Sequence, residues 1–246
     1  MTRIRFVDTT VRDGQQSLWA TGMHTEDVLA VMGYLEQAGF DAIEVLATSF
    51  EKKMVRELYQ DPFERLRRIR ELAPGTPLRV IRGRHLAAFQ ITPLEIERLW
   101  YRKLADYGVE EVRSSDASNT RDGWKKQVEL GRAAGIRTIL TLIFSISPRH
   151  TDDYYAQKAS EAAALAPYRI CLKDPGALLT PDRLQTLVPR IRKEIGDIPL
   201  EFHTHCNTGL GGQCALEAIR LGTGIINTAV PPLSDGSSTP STFEVA

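Results

Sequence analysis

Cysteine is scarce: Cys171, Cys206 and Cys214 are the only three in 246 residues. An odd number confined to the last third makes a poor disulfide framework, so reduced thiols are expected. Excess charge of either sign is absent as well, because 31 Lys and Arg balance 31 Asp and Glu. Nothing in that balance points to nucleic acid or an anionic membrane as a partner, although local charge can still hold a small anionic substrate. No apolar run reaches the roughly eighteen residues of a membrane span, and Met1-Thr2-Arg3-Ile4-Arg5 enters a strand pattern without the apolar stretch of a signal peptide. No transmembrane segment and a cytoplasmic location are therefore expected. Linkers rich in glycine and serine are missing too, so residues 1–246 read as a single domain with room for a sizeable core.

What is present is an alternation of strand and helix patterns. Strand-like runs occur at Ile4 to Thr9, Ala42 to Leu46, Leu78 to Ile81, Glu111 to Ser114, Thr138 to Phe144, Ile170 to Lys173, Leu200 to His205 and Ile225 to Val230. Segments of helical period separate them. Gly39, Gly108, Gly135 and Gly222 stand where helices should stop, and Thr25 and Thr180 are placed as N-caps, the latter with Pro181 in the first turn. Eight strands alternating with helices fit an α/β fold of the (β/α)8 TIM-barrel type better than an open sheet. The polar residues agree, for Asp8 to Asp13, Arg82, Asp116, Lys173, His203, His205 and Ser234 to Ser238 all follow or end a strand, where barrel active sites are built. After the eighth strand the sequence reaches Glu244-Val245-Ala246 without space for a closing helix, so the eighth helix and any C-terminal extension are expected to lie beyond it.

The pattern that carries chemistry is His203-Thr204-His205. Strand side chains repeat every second residue, so both imidazoles face one way and can share a metal ion. Such an ion wants three or four protein donors. The best remaining candidates are Asp13 and Lys173, each just after an apolar strand-like run; a salt bridge to Asp174 or a neighbouring carboxylate is the competing explanation for Lys173.

Beyond these, Asp8-Thr9-Thr10-Val11-Arg12-Asp13-Gly14-Gln15-Gln16-Ser17-Leu18, Ala38-Gly39-Phe40-Asp41-Ala42-Ile43-Glu44-Val45, Asp61-Pro62-Phe63-Glu64-Arg65-Leu66-Arg67, Tyr154-Tyr155, Lys173-Asp174 and His203-Thr204-His205 stand in an order that carries a resemblance. The chain resembles the carboxyltransferase domains of biotin-dependent enzymes: pyruvate carboxylase, the oxaloacetate decarboxylase α subunit and transcarboxylase. These sit within a wider superfamily of metal-dependent TIM-barrel lyases that includes hydroxymethylglutaryl-CoA lyase. The resemblance covers essentially the whole chain.

It implies a divalent metal held by Asp13, His203, His205 and a carbamylated Lys173, with zinc as first choice and manganese or cobalt compatible. Carbamylation is chemically sensible, because adding CO2 turns a cationic donor into an anionic oxygen ligand. Arg12 and Gln16 are implied to hold substrate near the reacting carbon, and Arg82 and Asp116 to bind it from strands three and four. Arg79 and Arg84 beside Arg82 leave a solvated arginine as the alternative there, and helix capping is the alternative for Asp116. Asp8 is expected to tie the strand end through local hydrogen bonds. Ser237 falls where the family has a threonine that passes a proton between biotin and substrate; Ser238 is its competitor, and ordinary loop chemistry competes with both.

The implied reaction moves CO2 between carboxybiotin and a small 2-oxo acid such as pyruvate or oxaloacetate through an enolate, in either direction. No Ala-Met-Lys-Met biotinylation motif occurs, so biotin is expected on a carrier domain downstream or on a separate carrier protein, and a homodimer is implied. Departures from the family pattern at Leu46 to Ser49, His85, Phe89, Ser114-Ser115 and Cys206 to Gly209 bear on the substrate. Cys206-Asn207 after the histidines also keeps a biotin-independent lyase, aldolase or Claisen-type synthase open as the alternative, and a non-catalytic scaffold is a third.

Overall fold

The structure, a computed structural model, describes residues 3–83 and 92–246. Eight strands are present among the described residues: β1 (Arg5–Asp8), β2 (Ala42–Ala47), β3 (Leu78–Arg82), β4 (Val109–Ser114), β5 (Arg137–Ile143), β6 (Arg169–Asp174), β7 (Leu200–Thr204) and β8 (Ile225–Thr228). Each pairs in parallel with the next, and β8 returns to β1 through Arg5 opposite Ile225 and Asp8 opposite Thr228, which closes the barrel. Every expected strand is present, with ends differing by a few residues at most.

Helices Thr25–Gln37, Pro62–Leu72, Leu94–Asp106, Arg121–Ala134, Asp152–Ala163, Pro181–Ile195 and Gly211–Arg220 follow the first seven strands in turn. A single helical turn, Thr242–Val245, follows β8. The apolar core lies between barrel and helices. One part gathers Val80, Leu66, Ile69, Trp100 and Leu104, and the other Leu140, Leu172, Leu184, Ile191 and Phe202.

Helix punctuation follows local chemistry. Gly135 caps its helix at φ 73°, in the left-handed region where a side chain would be strained, and Gly39, Gly108 and Gly222 take the same hand. Thr180 caps as expected, its hydroxyl accepting from the Arg183 amide at 3.2 Å. Thr25 is a correction: His24 is the N-cap, its amide donating to Asp27. The Thr25 hydroxyl is diverted to Gln60, at 2.9 Å, and accepts from the buried Arg65.

Inside the barrel, charge replaces the branched aliphatic side chains common in this fold. Glu44, Arg79, Glu111, Arg113 and Glu201 are each fully buried. Arg79 reaches across the barrel to Glu201 at 2.6 and 3.1 Å and bonds Glu111 at 2.9 Å. Arg113 pairs with Glu44 at 2.9 Å, and Arg169 lies 3.6 Å from Glu201. Inward strand positions thus carry charged groups matched across the interior, and this lattice forms the floor beneath the strand ends.

Candidate metal centre

The site begins where β1 gives way to a π-helical turn, Thr10–Gly14, every residue of which is buried. Asp8 starts it by accepting from the Thr10 amide and hydroxyl, at 3.1 and 2.5 Å, as local strand-end bonding requires. Burial raises the Asp8 carboxyl to about 7. The Thr9 carbonyl then takes the amides of Arg12, Asp13 and Gly14. This tight turn brings Arg12 and Asp13 to the barrel mouth.

There Asp13, His203 and His205 meet, with one donor atom from each lying within 4.8 Å of the others. Asp13 Oδ2 is 3.3 Å from His203 Nε2, and Asp13 Oδ1 is 3.4 Å from His205 Nε2. His205 Nδ1 lies 2.7 Å from the Ser237 carbonyl, an acceptor only, so Nδ1 carries a proton, and in the neutral ring Nε2 presents a lone pair. Burial, with Arg113 adding to it, lowers His203 to about 3 and keeps the ring neutral. Its Nε2 is buried with no hydrogen-bond partner among the described residues.

Two bare ring nitrogens facing one carboxylate repel it unless a cation lies between them. Burial opposes ionisation of Asp13, but Arg12, with Nη2 at 2.7 Å, outweighs it and holds the carboxyl well below its usual range. The donor set therefore fits a divalent ion with nitrogen and oxygen ligands.

Lys173 is inward-facing at the end of β6, paired in register with His203. Burial first, then Arg113 and Arg12, lowers its amine to about 8. Its Nζ reaches Ser115 at 3.4 Å. Adjacent strand residues point to opposite faces, so the competing salt bridge to Asp174 does not form: Asp174 instead accepts the amides of Leu178 and Leu179. Arg12 Nε and Nη2 grip Glu44 at 2.8 and 2.5 Å, and Nη2 is 2.7 Å from Asp13.

Residues 3–236 match the HMGL-like family model. The chain belongs to the HMGL-like family. It is 33% identical over 243 residues to a pyruvate carboxylase subunit of Methanocaldococcus jannaschii, a match covering 98% of this chain and 43% of that one. The methylmalonyl-CoA carboxyltransferase 5S subunit of Propionibacterium freudenreichii subsp. shermanii is 29% identical over 245 residues, covering 99% of this chain and 48% of that one. Among solved structures, the carboxyl transferase domain of Rhizobium etli pyruvate carboxylase with 3-bromopyruvate superposes with a TM-score of 0.93 at 26% identity, over 99% of this chain and 43% of that one. The HMGL-like chain spans less than half the length of these relatives.

The other residues singled out in this HMGL-like barrel are placed unevenly. Ser237 borders the centre, its carbonyl holding His205 and its hydroxyl donating to the Ser17 carbonyl at 2.8 Å; Ser17 in turn donates to Asp13. Ser238 is fully buried and donates to Leu233. Gln16 lies solvent-exposed on the short helix Gln15–Leu18, while its neighbour Gln15 is the buried amide, bonded to Val11 and Met23. Asp116 holds the turn before helix Arg121–Ala134 by accepting from the Ser118 amide and hydroxyl, and Thr120 is the N-cap.

Arg82 is not brought to the centre. It bonds Glu97 and the Gly83 carbonyl, and its guanidinium lies 5.9 Å from the Trp100 ring, on the helix side of β3. Nor is it solvated, for it is fully buried, as is Arg79. The β3 pleat turns Arg79 inward and Arg82 outward. His85, Phe89 and Arg84 lie outside the described residues.

Glu44, Arg113, Glu201 and Asn227, which hold Arg12 and His203 in place, were not singled out from sequence. Their signal was there: charged residues at alternate positions of otherwise apolar runs such as Leu200-Glu201-Phe202-His203.

Proposed function

We propose that this HMGL-like barrel is the carboxyltransferase unit of a biotin-dependent carboxylase or decarboxylase acting on a small 2-oxo acid such as pyruvate or oxaloacetate. The observation that carries this reading is the meeting of Asp13, His203 and His205 in one buried cluster beside Arg12, in a barrel similar to carboxyltransferases from end to end. A divalent metal, zinc by preference, would be held by Asp13, His203, His205 and a carbamylated Lys173, and would supply Lewis-acid polarisation of a substrate oxygen. The lowered amine of Lys173 supports carbamylation, because the neutral amine is the form that adds CO2.

The protein's own residues do the rest. Nε and Nη2 of Arg12 are committed to Glu44 and Asp13, which fixes the guanidinium plane; Nη1 is the donor we assign to a substrate carboxylate or enolate oxygen. The Ser237 hydroxyl both donates and accepts, so it can carry a proton between a ureido nitrogen of biotin and the substrate carbon. Biotin serves as the carboxyl carrier and reaches the mouth on a carrier domain or protein. A homodimer in the cytoplasm completes the reading.

The test is acceptor-dependent CO2 exchange with a biotin carrier protein, using wild type, Lys173→Ala, Ser237→Ala and Ser238→Ala. Exchange with pyruvate or oxaloacetate is expected in wild type. It should vanish in Lys173→Ala together with bound metal, and fall about 100-fold or more in Ser237→Ala with metal content unchanged. Ser238→Ala should stay active. Stoichiometric metal without biotin dependence would instead assign the barrel to the lyase alternative.

A further inference from the structure

His203 has two possible neutral tautomers, and only one can bind a metal through Nε2. Two neighbours compete for its other nitrogen. Asn227 Oδ1 lies 2.9 Å from Nδ1 and Arg113 Nη1 lies 3.3 Å from it. Arginine can only donate, so alone it would demand a lone pair on Nδ1 and drive the proton to Nε2. That proton would then point at Asp13 Oδ2, 3.3 Å away, and fill the place of a cation.

The outcome rests on which end of the Asn227 amide faces the ring. Its Nδ2 donates to Glu201 Oε1 at 2.9 Å, and its Oδ1 accepts a short hydrogen bond from Arg113 Nη1. A carboxylate at one end and a guanidinium at the other allow a single orientation of the amide. Glu201 is itself pinned by Arg79 at 2.6 and 3.1 Å. The oxygen must therefore face His203, and Nδ1 must donate to it.

We infer that Asn227 is a positioning residue that sets His203 in the Nδ1-protonated tautomer, with its orientation dictated by the buried Arg79–Glu201 pair, and thereby keeps Nε2 open for metal. The inference rests on the metal reading of the site only for its purpose; the tautomer itself is a property of the metal-free protein. Outer partners of metal-bound histidines typically change affinity about 10–100-fold when removed.

The experiment combines 15N histidine NMR of the metal-free protein with Zn2+ affinity from chelator competition, for wild type, Asn227→Leu and Asn227→Asp. Wild type should show His203 protonated at Nδ1. In Asn227→Leu, Arg113 becomes the sole partner of Nδ1, so the proton should move to Nε2 and Zn2+ affinity should drop about 10–100-fold. Asn227→Asp keeps an acceptor facing Nδ1 and should keep the tautomer; its second oxygen replaces the donor to Glu201, 2.9 Å away, so only the tautomer is compared for this variant. A proton on Nε2 in wild type, or unchanged tautomer and affinity in Asn227→Leu, would overturn the inference. If Asn227→Leu does not fold, the wild-type and Asn227→Asp spectra decide alone. Absence of Zn2+ binding in wild type would sink the metal reading and leave the tautomer assignment to stand or fall on the spectra.

Discussion

Glu51, on the helix Thr48–Arg56 after β2, accepts from the Trp100 indole at 2.8 Å, and burial pushes its carboxyl up to about 7. The folded state therefore holds this proton more tightly than the unfolded chain, whose carboxyl ionises near 4.5. Stability from this group is complete below pH 4.5 and declines as pH rises towards 7; above 7 the penalty is constant. Glu51→Gln keeps the acceptor for Trp100 and removes the ionisation. The variant should be more stable than wild type by about 2 kcal/mol at pH 8, a figure reduced for the group's partial exposure, with the gap nearly closing at pH 5. Urea unfolding at the two pH values checks this, and an equal difference at both would refute it.

At the level of elements, the π-turn Thr10–Gly14 and the loop after β8 are packed too closely for a side chain between them. A Cβ on Gly14 would sit 2.5 Å from the Leu233 carbonyl oxygen and 2.9 Å from Leu233 Cβ. The Thr9 hydroxyl bonds the Thr228 carbonyl and Thr239, and the Thr10 hydroxyl takes the Val230 amide, so the turn and loop are tied together. Gly14→Ala must separate them and so displace Ser237 from Asp13. Overpacking of this kind costs about 1–3 kcal/mol, and the proposed carboxyl-transfer activity should fall further than the melting temperature implies; full activity in a stable variant would refute the coupling.

The strands and helix ends were legible before the structure because alternation and glycine stops are local signals. Gly14 was legible only as part of a motif. Its constraint comes from Leu233, more than two hundred residues away in sequence, and nothing local reveals that contact. Arg82 was misplaced for a related reason: it ends its strand, as site residues do, but the pleat sends it to Glu97 and Trp100.

Across the whole molecule, the barrel interior is one electrostatic unit. Glu201 bonds Arg79 and Asn227 and lies 3.4 and 3.6 Å from Arg113 and Arg169, so it touches groups from four other strands at once. Three guanidiniums around it, Arg79, Arg113 and Arg169, hold its carboxyl far below the usual range despite full burial. This lattice was hard to read in the sequence because an apolar strand broken by alternating charges looks half-exposed, and only closure of the barrel turns that polar face inward. Closure also makes the charges interdependent. Removing one leaves arginines buried with too little counter-charge, and breaking such pairs costs about 3–5 kcal/mol. Glu201→Gln keeps the volume and loses the charge, so it should destabilise by that amount in denaturant titration with an unchanged slope. Because the same carboxylate orients Asn227, binding at the proposed metal site, probed with Zn2+, should weaken in the variant even where it remains folded. A loss below about 1 kcal/mol, the level of an exposed ion pair, would mean that the interior admits water and that its charges are solvated individually rather than by one another.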